Sequence, residues 1–167
     1  MVMTKQELIA SLQNEVRIVG HLASKVDRSK LDYRPTAKQR STIELLQYIS
    51  MMGPTYVQYI KTASKDASIW ESAAAAAAKR DFDETVAAIA AQHDSYASLL
   101  GEMTDADLRT ESMAADGSTT TRGASLVNAV LCGCAAYRTQ LFLYLKASGR
   151  EELGTMNLWA GLDAPAA

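Results

Sequence analysis

The sequence predicts an all-α protein, a single antiparallel four-helix bundle spanning residues 1–167. Three observations carry that prediction. Apolar residues recur at helical spacing in successive segments, capping boxes open three of those segments, and no strand-period alternation competes. A chain of 167 residues is the size of one domain and long enough to bury a core.

The first helix opens on Thr4 and Glu7, whose side chains each satisfy an orphan amide of the other, and carries the stripe Leu8, Leu12, Val16, Val19, Leu22 and Val26. Asp27 to Gln39, with Pro35 inside, reads as a connection. The second helix starts at Ser41 with Glu44 and buries Leu45, Ile49, Met52, Tyr56 and Ile60. Pro54 lacks an amide and clashes with the preceding turn, so Gly53-Pro54 predicts a kink or a local break. Six consecutive alanines, Ala73 to Ala78, favour helix but offer little side chain for anchoring. They read either as a helical extension or as a close helix crossing. The third helix opens on Asp81 with Glu84, carries Phe82, Val86, Ile89, His93, Tyr96 and Leu100, and stops at Gly101. Glu102 to Gly123 is polar and turn-rich, with a tight turn expected at Asp116-Gly117. The fourth helix runs from about Arg122 to Ser148 and closes at Gly149, after which Met156, Leu158 and Trp159 form a short apolar tail expected to fold back over one end of the bundle.

Composition narrows the function classes. The chain is 48% hydrophobic and 22% charged with a net charge of −2, the balance of an ordinary globular protein. It has no basic block, which argues against nucleic acid as a partner. Residues Met1 to Glu7 show no basic region leading into an apolar stretch, and the longest apolar runs, Ala73–Ala78 and Leu126–Ala136, are too short to span a bilayer. The expectation is a cytoplasmic protein without a membrane partner. Cys132 and Cys134 lie about 200° apart around a helix, so they neither pair nor grip one ion together and read as small core or interface residues. His21 falls off the first stripe and reads as a surface residue. No Ser-His-Asp order, phosphate loop or carboxylate pair stands out, and no catalytic residue is assigned.

Two segments carry a family resemblance. Gly133-Cys134-Ala135-Ala136-Tyr137-Arg138-Thr139-Gln140-Leu141, continuing through Tyr144-Leu145 to Gly149, resembles the last helix of the DinB-like superfamily. That family's pattern is His-x-x-x-His-Arg-x-Gln-Leu, then a Tyr-Leu pair and a Gly. Arg138, Gln140, Leu141, Tyr144, Leu145 and Gly149 agree with it, while Gly133 and Tyr137 stand at the histidine places. Ser41 to Ile49 is similar to the family's second-helix segment, which ends Glu-Leu-Leu-x-His-Leu, and puts Tyr48 at its histidine. The resemblance implies a four-helix fold with long connections. It also implies, for the family, one metal held by these three histidines with water or substrate completing the shell. Relatives include metal-dependent thiol transferases and a thiol-dependent isomerase, and members commonly pair as dimers.

All three ligand places differ in this chain. Glycine offers a metal no side chain, and a neutral phenol with a pKa near about 10 is a poor ligand. The expectation is therefore a DinB-like protein with no metal or other cofactor and, on balance, no enzymatic activity. It would bind a small molecule or a partner and form a homodimer, with Tyr48, Gly133, Tyr137 and His93 as the ligand-pocket candidates. Two alternatives stay open: a thiol-transferase-like enzyme, with a metal recruited through His93 and nearby carboxylates or with chemistry that needs no metal, and a structural or oligomerisation module. A mid-helix glycine costs roughly 1 kcal/mol against alanine, so Gly133 predicts the close approach of a bulky ring. Tyr48 and Tyr137 would fill the metal cavity, their hydroxyls bonded to each other, to His93 or to a ligand. Arg138 and Gln140 are expected in structural hydrogen bonds.

Overall fold

The computed structural model describes residues 3–114 and 117–163. Its helices are α1 (Lys5–Ala23), α2 (Thr42–Thr62), α3 (Ala67–Ala77), α4 (Phe82–Gly101), α5 (Arg122–Ser125) and α6 (Cys132–Ala147). The starts of α1, α2 and α4 are the expected capping boxes, with Glu7, Glu44 and Glu84 reaching back to the amides of Thr4, Ser41 and Asp81. Of the kink or local break expected at Gly53-Pro54, the break does not occur, and α2 runs on through Pro54. As expected, α4 stops at Gly101, its last residue, and Glu102 is the cap.

Two elements have no forerunner in the sequence reading. Residues Glu111–Met113 (β1) and Thr119–Thr121 (β2) pair as an antiparallel hairpin, too short to show alternation. Of the expected turn between them, Asp116 lies outside the described residues, while Gly117 adopts a left-handed φ of 83°. Leu126–Leu131 forms π-helical turns that join α5 to α6 in one 26-residue run, Arg122–Ala147. By length and composition alone that run could cross a bilayer, although Asn128, Arg138 and Gln140 divide it into the shorter apolar stretches evident in the sequence. In the fold it lines the bundle, with Leu126, Val130, Cys134, Leu141 and Leu145 buried.

Helix directions follow from side-chain ties. Around the bundle the order is α1, α4, α2, α6. Lys5 reaches the Met103 carbonyl and Gln13 the His93 carbonyl, so α1 and α4 are antiparallel. Tyr48 meets Tyr137 and Met52 meets Gly133, so α2 and α6 are antiparallel too. Gln47 reaches the Arg80 carbonyl, Gln92 the Ile49 carbonyl and Lys61 the Glu102 carboxylate, so α2 and α4 run parallel. A parallel neighbour needs a crossover, and the alanine-rich α3 supplies it as a separate helix packed on α2. Its cap Asp66 and the Tyr59 hydroxyl, which donates to the Asp66 carbonyl and accepts from the Trp70 amide, hold it there.

The C-terminal tail folds back over α1, with its expected anchors reversed. Trp159 is 67% exposed and Met156 is also exposed, while Asn157 is only 4% exposed. Asn157 lies 3.1 Å from Nε2 of His21 and donates to Asp163, and Arg17 donates to the Ala160 carbonyl. His21 is therefore covered by the tail rather than a surface residue. Gly161 has a φ of 57°, and a β-carbon there would lie 3.1 Å from Cα of Ile18, so glycine permits this close approach.

Candidate functional site

At the α2–α6 seam the rings of Tyr48 and Tyr137 meet edge to face, centroids 4.8 Å apart and planes at 62°. The Tyr137 hydroxyl donates to that of Tyr48 over 3.5 Å, the long limit of such a bond. Both residues are half-buried. Burial pushes the Tyr48 phenol well above its ordinary value, which keeps it neutral. The Arg40 guanidinium lies 4.0 Å from the centre of the Tyr48 ring, and Trp70 of α3 meets that ring at 5.9 Å.

Gly133 does not accommodate a tyrosine. A β-carbon there would stand 2.9 Å from Cε of Met52, because Tyr137 turns toward Tyr48 and Met52, one turn further along α2, fills the space. The close ring approach occurs instead at Gly53, where a β-carbon would lie 1.9 Å from the Tyr96 hydroxyl.

His93 is not part of this site. Its side chain is 56% exposed, with Nδ1 3.0 Å from the Asp94 carboxylate. The buried series of α4 is Thr85, Ile89, Gln92, Tyr96 and Leu100, so Gln92 holds the inward place that the sequence reading gave to His93. Gln92 donates to the Ile49 carbonyl at 2.8 Å and accepts from the Tyr96 hydroxyl at 3.3 Å. That hydroxyl also lies 3.8 Å from the Cys134 sulfur. Burial pushes the Cys134 thiol up to about 11, leaving it protonated and inert, whereas Cys132 is exposed rather than packed. Beside this layer Arg138 donates to Glu15 at 2.9 Å, both buried, and the Trp159 ring lies 5.6 Å from the guanidinium. Gln140 donates to the Tyr144 hydroxyl at 2.7 Å, so both residues of the motif make structural bonds.

Next to Tyr48 a cleft of about 520 Å³ opens between α2, α3 and the connection before α2. Its floor includes Tyr48 and Met51, one wall is Trp70 with Ala74, Ala77 and Ala78, and Arg34, Lys38 and Arg40 stand along the other. Among the described residues no three His, Cys, Asp or Glu side chains converge as a metal-binding group.

No family model and no curated protein matches the chain. Among solved structures, the crystal structure of a DinB-like protein from Bacillus subtilis, YjoA, superposes with a TM-score of 0.66 at 19% identity, covering 88% of this chain and 95% of that one. The fold is DinB-like. Within the DinB-like fold the two segments that carried the resemblance face each other across α2 and α6, with Tyr48 and Tyr137 in contact. The DinB-like bundle also draws in residues that sequence reasoning left aside. Trp70 and Arg40 gave no signal, because the crossover brings Trp70 beside Tyr48 and the connection before α2 brings Arg40 there. Gly53 was read solely as a partner of Pro54, although a glycine inside an apolar stripe is also the mark of a close packing contact.

Proposed function

We propose that this DinB-like chain is a small-molecule-binding bundle that works without the metal its fold family uses, taking its ligand in the cleft beside Tyr48. The observation that carries this reading is the Tyr48–Tyr137 ring pair, packed at 4.8 Å where the resemblance puts two of three metal-ligating histidines. The donor set does not fit a metal ion. Tyr48 is held neutral by burial, and Gly133 has Met52 rather than a donor against it. The alternative in which His93 recruits one is disfavoured by the exposed, Asp94-paired position of that histidine.

A cleft of this size lies within the roughly 300–1,000 Å³ range of small-molecule sites. It combines aromatic and alanine walls with a few polar groups, the usual make-up of such sites. The test is a thermal-shift screen of a chemically mixed library against the wild type and Ala74→Phe, which fills the cleft. Ligands should raise the melting temperature of the wild type and lose that effect in the variant. Shifts that persist equally in Ala74→Phe would place ligand binding elsewhere.

A further inference from the structure

The cleft beside Tyr48 is locally basic in a chain whose net charge is −2. Arg34, Lys38 and Arg40 face a single lining carboxylate, Glu44, and Arg34 lies 3.3 Å from it, so that pair is neutralised. Lys38 and Arg40 remain without an acidic partner among the described residues. Arg40 is preset. Its backbone carbonyl accepts from the buried Tyr144 hydroxyl at 3.0 Å, and its guanidinium lies over the Tyr48 ring, which leaves the planar N–H edge free for a carboxylate. The Tyr48 oxygen already accepts from Tyr137, so its own proton is available to a third group.

The opposite wall is apolar and cut back. Trp70 offers an indole face, and the six-alanine run puts Ala74 and Ala78 where longer side chains would close the space. A slot with donors on one side and a smooth apolar wall on the other selects for an amphipathic, flat ligand. A cleft of about 520 Å³ with only two unpaired cations suits a small molecule rather than a polyanion, which would need a run of phosphate contacts.

We propose that this cleft binds a small organic anion carrying a flat apolar group, an aromatic carboxylate being the simplest case, with the carboxylate at Arg40 and Lys38 and the ring against Trp70 and Ala74. This rests on the reading of the cleft as the ligand site and adds the chemical class. Both cations are exposed, so the attraction is screened by salt.

The test is calorimetric titration of 2-naphthoate and of its neutral counterpart 2-naphthylmethanol into wild type, Arg40→Gln, Lys38→Gln and Ala74→Phe, each checked for helicity by circular dichroism. The acid should bind the wild type with a Kd at or below about 1 mM. It should weaken about tenfold in Arg40→Gln, less in Lys38→Gln, and also on raising salt from 0.05 M to 0.5 M, by about threefold or more. The alcohol should bind at least about tenfold more weakly than the acid and ignore the Arg40 change. Equal affinities for acid and alcohol would overturn the anionic class while leaving the cleft as a ligand site. Acid binding untouched by both Arg40→Gln and Ala74→Phe would overturn the location, and no binding by either probe at about 10 mM would overturn the proposal outright.

Discussion

The bundle contains two tyrosine layers built from similar parts and finished differently. At Tyr96 the ring is 0% exposed, its hydroxyl is shared by Gln92 and Cys134, and Gly53 is cut back to admit it. At Tyr48 and Tyr137 the rings are half-buried, joined by one long hydroxyl contact, and flanked by an open basic cleft. A buried hydroxyl whose partners are all internal is a packing device, and removing any member costs stability. A hydroxyl with a spare proton facing a cleft can be spent on a ligand. Residue type does not separate the two layers; burial and partners do.

The sharpest way to break this comparison is to damage the buried ion pair beside the closed layer. Arg138→Met leaves Glu15 charged and buried, and should cost about 3–5 kcal/mol in urea unfolding at neutral pH. The pH dependence has a definite sign. Burial raises the Glu15 pKa above its ordinary 4.5 while Arg138 opposes that rise. The folded state therefore holds a proton that the unfolded chain has released in the window above 4.5, and the contribution from Glu15 grows as pH falls through that window. Without Arg138 the pKa rises further, so the deficit of the variant should shrink from pH 7 to pH 5. A deficit that widens on acidification would contradict the buried pair.

The two glycines sharpen the contrast at a smaller scale. Gly53→Ala drives a methyl into the Tyr96 hydroxyl and should cost about 3 kcal/mol. In a Tyr96→Phe background the cost should fall by about 1 kcal/mol or more, read by a double-mutant cycle. Gly133→Ala meets only the flexible tip of Met52 and gains up to about 1 kcal/mol of helix propensity. It should stay within about 1 kcal/mol of wild type. Equal penalties at the two glycines would erase the distinction between the layers. The smallest effect belongs to Tyr137→Phe, which removes a 3.5 Å contact and should cost about 0.5 kcal/mol or less.

Much of this architecture was legible in the residues. Three capping boxes and their stripes located α1, α2 and α4, and the Arg138 to Gly149 motif located α6. The parallel pairing of α2 with α4 inside the expected bundle was not legible, because the crossover role of the alanine run depends on where α4 docks. On α4 the stripe through His93 was one residue out of phase, since the strongly polar Gln92 is the residue buried there and a hydropathy pattern places glutamine outside. In the tail the same bias exchanged Asn157 with Trp159. Both misplacements are buried amides that make contacts only the tertiary structure supplies, Gln92 with the Ile49 carbonyl and Asn157 with His21. The site was half legible: the Tyr48–Tyr137 contact followed from the motif positions, while Arg40 and Trp70 reach it through a loop and a crossover.

The most direct test of the central claim is the metal content of untagged protein purified without chelator, then challenged with zinc and nickel. The metal-free reading proposed above predicts less than about a tenth of an equivalent before and after challenge, since a phenol that keeps its proton is a poor ligand and glycine offers none. Uptake near one equivalent, lost in Tyr48→Phe or in Tyr137→Phe, would show that the tyrosine layer holds a metal and would contradict the account.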